Sequence, residues 1–122
     1  MEYTLKNCQE LVDDWIQTIG IRYFSELTNT AILMEEVGEL ARVIARQYGD
    51  QSYKESDRSV NLAEEMADVF FVLICLANQT GIDLERAFRQ SIEKKTKRDE
   101  TRHRKNPKLS STENTAEENQ GD

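Results

Sequence analysis

Two short acidic strings carry the residues most able to do chemistry. Glu35-Glu36-Val37-Gly38-Glu39 and Glu64-Glu65-Met66-Ala67-Asp68 each contain a Glu-x-x-(Glu/Asp) pair. On a helix, residues three apart share a face, so each string sets two carboxylates side by side. At about 100° per residue, Glu36 lies within roughly 60° of Ile32, Leu33, Leu40 and Val43, with Glu39 beside it at the border of the polar side. Glu65 and Asp68 share their sector with Val69, Val72 and Leu76, whereas Glu35 falls towards Thr28, Arg42 and Arg46 and reads as solvated. A single acid pair on a helix is an ordinary surface feature. Two pairs on or beside the apolar stripes of long helices are not, because desolvated carboxylates are costly and adjacent ones resist joint ionisation. Few basic residues share those faces, so a divalent cation is the expected partner. An all-oxygen donor set favours Mg²⁺ or Mn²⁺ over Zn²⁺. Mg²⁺ also keeps positions open for water and phosphate, which suits phosphoanhydride chemistry.

Helices must position these acids. Leu5, Cys8, Leu11, Val12, Trp15 and Ile19 recur at three- and four-residue steps, predicting a first helix from about Thr4 to Ile19 with Gly20 as its stop. An aromatic connector, residues 21–24, leads to Ser25 as the cap of a second helix, which runs to Tyr48 with Gly49 in the C′ position. Gly38, in mid-helix, costs about 1 kcal/mol relative to Ala and serves either close approach or packing. A polar linker, Asp50 to Ser59, precedes a third helix beginning near Asn61 and ending at Gly81 in a Schellman-type stop with Ile82. Asp83 is placed to cap a fourth helix that continues into a basic segment. The expected fold is all-α, a four-helix bundle.

Composition agrees. The 122 residues, with one Pro and five Gly, suit a single helical domain rather than a loop-rich β fold. A mean hydropathy of −0.71 and a longest apolar run of nine residues, Val69 to Ala77, argue against a membrane span. The formal charge of −7 divides unevenly: −9 on residues 1–93, +5 on residues 94–105 and −3 on residues 106–122. Residues 1–105 are therefore expected to form the domain and residues 106–122 a disordered polar tail. Cys8 and Cys75 offer neither a disulfide framework nor metal-ligand spacing, and both read as core filler. With no charged-then-apolar leader at the N-terminus, the expected location is cytoplasmic.

The string Glu36-x-x-Glu39, 25 intervening residues, then Glu65-x-x-Asp68 resembles the signature of the MazG-like all-α nucleotide pyrophosphohydrolases. The surrounding text, YFSELTNTAILMEEVGELARVIARQYG and EEMADVFFVLICLANQTGIDLERA, is similar to the small single-domain bacterial members, over about residues 3–105. The resemblance implies hydrolysis of nucleoside triphosphates between the α and β phosphates, giving a monophosphate and pyrophosphate, and a role in nucleotide-pool sanitation. It also implies Mg²⁺ on Glu36, Glu39, Glu65 and Asp68, with Mn²⁺ as a substitute, and assembly as a homodimer or homotetramer. Lys94 and Arg98 match the family's phosphate contacts, while Thr96 stands where Asn is frequent. The aromatic residues that stack on the base in some relatives have no clear match on the second and third helices.

Other readings fit less of the sequence. Di-iron bundles need two Glu-x-x-His motifs, and this chain has one His, in Glu100-x-x-His103 within the basic segment. A nucleic-acid binder is disfavoured because the basic segment lacks interleaved aromatics and the chain is acidic. The alternative from a different class is a non-catalytic helical oligomerisation or nucleotide-binding module with a relict metal site, against which the four intact acids count.

Overall fold

A computed structural model describes residues 1–52 and 61–109. Four helices follow in the expected order: α1 (Leu5–Thr18), α2 (Glu26–Tyr48), α3 (Leu62–Gln79) and α4 (Leu84–Asp99). Among the described residues there is no strand, and no single helix is long and apolar enough to cross a membrane. Residues 53–60 of the expected linker and 110–122 of the expected tail lie outside the described residues, and residues 107–109 are helical.

The helix starts follow from side-chain oxygens that meet otherwise unpaired backbone N–H groups. Thr4 Oγ1 accepts from Asn7 N at 3.1 Å, Ser25 Oγ from Thr28 N at 3.2 Å and Asn61 Oδ1 from Ala63 N at 2.8 Å. The stop of α3 is a Schellman motif: Ile82 N donates to Ala77 O at 2.8 Å and Gly81 N to Asn78 O at 3.3 Å. Gly81 sits at φ 71°, where a side chain would be strained. Gly49 ends α2 differently from the expected left-handed stop. Its φ is −106° with extended ψ, and glycine is required because a Cβ there would collide with the Ala45 carbonyl oxygen. A Cβ at Gly38 would meet nothing within 4 Å, so no close approach within the described chain demands that glycine.

The chain divides into two compact units, residues 1–85 and 86–122. In the first, α3 packs against both α2 and α1. Val12, Ile16, Ile74 and Cys75 form the buried cluster, with Cys8, Tyr23, Phe71 and Leu84 against it. Both cysteines are free, consistent with their reading as core filler. The stripe on α1 is narrower than its periodicity suggests. Val12 and Ile16 are buried, while Ile19 is 69% exposed, because the helix ends at Thr18 and packs mainly on one neighbour.

A polar network ties α1 to the end of α3. Gln9 Nε2 donates to Asn78 Oδ1 at 3.1 Å and Ile82 O at 2.8 Å, and Gln9 Oε1 accepts from Leu84 N at 2.8 Å. Asn78 Nδ2 donates to Gln9 O at 3.0 Å and to the Tyr23 hydroxyl at 3.1 Å. Tyr23 in turn donates to Asp13 Oδ1 at 2.6 Å. Burial, then the hydrogen bond to Asp13, pushes the Tyr23 phenol up to about 12. Next to this network, Ile21 sits at φ 73°, a costly conformation for a β-branched residue.

Candidate metal centre and adjoining cavity

The packing of α2 on α3 gathers the carboxylates that the sequence sets apart. Glu36, Glu65 and Asp68 each offer an oxygen, and these oxygens all lie within 4.8 Å of one another. Glu36 and Glu65 are half-buried; Asp68 and Glu39 are exposed. Glu65 stands in the first turn of α3, where the helix dipole favours an anion. Burial is the largest effect raising the Glu36 carboxyl above its ordinary range, followed by the charges of Glu39, Asp68 and Glu65. For Glu65 the order is burial, then the charges of Glu39 and Asp68, then a side-chain hydrogen bond with Glu39. Glu39 thus adjoins the cluster without belonging to its tightest set.

The donor set fits a divalent cation. Glu36 Oε2 and Glu65 Oε2 are both buried without a hydrogen-bond partner, and orphaned buried oxygens are costly. Several negative charges converge on the same point. A hard cation would satisfy the orphaned oxygens and offset the repulsion, and carboxylate oxygens are the ligands such a cation takes.

Glu36 and Asp68 also line a cavity of about 340 Å³. Its aromatic wall comes from Trp15, Tyr23, Phe24 and Phe71, with Trp15 and Phe71 edge to face at a centroid distance of 5.6 Å. Arg22 and Asn29 add polar groups. The site therefore joins an anionic cluster to an apolar, aromatic-lined recess. Sequence reasoning missed the recess: Trp15 reads as core stripe and residues 21–24 as a connector, and only tertiary packing brings them to Phe71.

The sequence-expected phosphate contacts belong to the second unit, where Lys94 is exposed on α4. Arg98 is engaged with Asp99, through Nε to Oδ1 at 3.1 Å and Nη2 to Oδ2 at 2.8 Å. Those hydrogen bonds hold the Asp99 carboxyl below its usual range. Arg102 Nη1 lies 3.5 Å from the same carboxylate.

The family model of the MazG nucleotide pyrophosphohydrolase domain matches residues 24–103, a span holding Glu36, Glu39, Glu65, Asp68, Lys94 and Arg98. The chain belongs to the MazG nucleotide pyrophosphohydrolase family. It is accordingly an enzyme of the hydrolase class, and the resemblance to the MazG family holds. Among curated relatives, this MazG chain is 41% identical over 99 residues to YpjD of Bacillus subtilis (strain 168), covering 81% of this chain and 89% of the relative. It is 34% identical over 102 residues to YvdC of the same organism, covering 77% of this chain and 94% of that one. Both relatives are uncharacterized. Among solved structures, YPJD from Bacillus subtilis aligns with a TM-score of 0.68 at 40% identity, over 76% of this chain and 93% of the other. A Bacillus-conserved MazG protein, described as a nucleotide pyrophosphohydrolase, aligns with a TM-score of 0.64 at 40% identity, over 76% and 89%. The all-α MazG architecture is thus shared with crystal structures.

Proposed function

We propose that the chain hydrolyses nucleoside triphosphates at the α–β phosphoanhydride in a Mg²⁺-dependent reaction, releasing a monophosphate and pyrophosphate. The observation that carries this reading is the joining of the Glu36–Glu65–Asp68 cluster to an aromatic-walled cavity through Glu36 and Asp68. One end suits a metal-bridged polyphosphate and the other a flat base. Glu36, Glu65 and Asp68 hold the cation, with Glu39 completing the acidic set. Bound there, Mg²⁺ (or Mn²⁺ as a substitute) supplies charge neutralisation on phosphate oxygens and a lowered pKa for water. A carboxylate outside the coordination accepts the proton of the attacking water. Trp15, Tyr23, Phe24 and Phe71 stack on or edge the base and exclude water from it.

Lys94 and Arg98 enter as phosphate contacts on the resemblance, with Arg98 exchanging Asp99 for phosphate. Pool sanitation in the cytoplasm is the physiological role, supported by the free cysteines and by the family. Assembly as a homodimer or homotetramer is supported by large apolar side chains left exposed on α2 (Leu27, Met34, Val37) and α3 (Met66, Phe70, Leu73).

A panel of standard and damaged nucleoside triphosphates with Mg²⁺, read as monophosphate and pyrophosphate, tests the reading. Equimolar release of the two products is expected. Orthophosphate release, or nucleotide binding with no turnover, overturns it, the latter in favour of a non-catalytic binding module.

A further inference from the structure

Asn29 is the one buried polar residue among the described residues, 6% exposed, and it lines the aromatic cavity. Its orientation is fixed from outside. The Phe24 carbonyl can only accept, and it receives Gln79 Nε2. Gln79 therefore turns its oxygen the other way, and that oxygen accepts from Asn29 Nδ2 at 2.8 Å. A weaker approach of Asn29 Nδ2 to Phe24 O, at 3.5 Å, has the same sense. The amide nitrogen of Asn29 is thus committed to protein, and Oδ1 is the atom with which this cavity-lining side chain can accept a hydrogen bond.

The position suits a base-reading role. Asn29, Ile32 and Glu36 all line the cavity at spacings that share one face of α2. Seven residues of helix separate Asn29 from Glu36 by about 10 Å along the axis, a span a nucleoside can bridge. With the phosphates at the carboxylates, the base lies towards Asn29.

We propose that Asn29 selects the base: its side-chain oxygen accepts a hydrogen bond from an amino-bearing base, cytosine or adenine, seated in the aromatic cavity. The oxo counterparts, uracil and hypoxanthine, present a carbonyl oxygen where the amine stood, setting acceptor against acceptor. A site built around one hydrogen-bonding sense rejects the opposite one more strongly than a greasy pocket rejects a change of size. The inference rests on the cavity being the nucleotide site of the proposed hydrolase. Gln79 acts as a positioning residue, since it dictates which end of Asn29 faces the ligand.

Trp15 is the only tryptophan of the chain and lines the same cavity, so its fluorescence reports occupancy without metal or turnover. Titration of the full chain with cytidine against uridine, and adenosine against inosine, should show the amino member of each pair binding about tenfold tighter, the worth of one hydrogen bond. Asn29→Leu should bring both ratios close to one while helix content by circular dichroism is kept. Gln79→Leu, which frees Asn29 to turn, should lower the ratios as well. Equal binding of amino and oxo members by the unmodified chain, absence of quenching by every nucleoside, or ratios that persist in folded Asn29→Leu overturns the proposal. Triphosphate hydrolysis without an amino preference defeats this inference alone; selective cytidine binding without pyrophosphate release defeats the hydrolase reading alone.

Discussion

The carboxylate cluster and the Gln9–Asn78–Tyr23–Asp13 network are both polar groups drawn in by packed helices, yet they are opposites. In the network every named donor meets an acceptor, and Asn78 bridges α1 and the α1–α2 connector with bonds of 3.0 and 3.1 Å. In the cluster, carboxylates face carboxylates, and Glu36 Oε2 and Glu65 Oε2 have no hydrogen-bond partner. Satisfied polar groups hold a fold together; converging, unsatisfied ones of a single sign need something the chain does not supply. The difference separates a structural role for Gln9 and Asn78 from the role proposed for the carboxylates, while Tyr23 belongs to the network and also lines the cavity. Perturbing the network should cost stability, and neutralising the cluster should cost activity.

The largest effect is expected at the cluster. Glu65→Gln and Asp68→Asn should each reduce Mg²⁺-dependent pyrophosphate release by two orders of magnitude or more, with helix content unchanged by circular dichroism. Both variants retaining full turnover would break the comparison on the functional side.

Next comes the network. Asn78→Leu removes two donated bonds and the acceptor of Gln9, and should lower unfolding free energy by about 2–3 kcal/mol in denaturant titrations. Any loss of turnover should track the loss of folded protein.

A pH effect of about 1–2 kcal/mol is expected at Tyr23, whose phenol donates to a carboxylate. Because its pKa is raised from 10.0 to about 12 in the folded chain, the native state keeps a proton that the unfolded chain loses. That stabilisation is complete below pH 10 and disappears as pH rises towards about 12. Tyr23→Phe removes this titration, so the stability advantage of the unmodified chain over the variant should shrink as pH rises above 10.

The smallest change should be a gain. Ile21→Gly relieves a left-handed β-branched residue that is 80% exposed, and should raise stability by about 1 kcal/mol in thermal melts. A loss there would contradict the reading of Ile21 as a strained position.

Much of this was legible in the sequence for identifiable reasons. Caps are local chemistry, so Ser25 and the Gly81–Ile82 stop could be read directly. Glu36, Glu65 and Asp68 were legible because acids at i, i+3 on apolar stripes violate the patterning of a soluble helix. Their convergence across α2 and α3 follows once those stripes pack. The cavity was not legible. Phe71 lies about fifty residues beyond Trp15 and Tyr23, and Trp15 keeps the periodicity of a core residue. Asn29 gave no signal, because what makes it informative is Gln79, fifty residues away. Gly49 was legible as a stop but not in its conformation, since the need for glycine arises from the approach of the Ala45 carbonyl.

The most direct test of the central claim is the Mg²⁺ dependence of thermal stability, measured without nucleotide on the unmodified chain and on Asp68→Asn. If Glu36, Glu65 and Asp68 hold the cation, the melting temperature of the unmodified chain rises with Mg²⁺, and that of Asp68→Asn rises far less. An equal rise in both, or no rise in the unmodified chain up to tens of millimolar, would contradict the assignment.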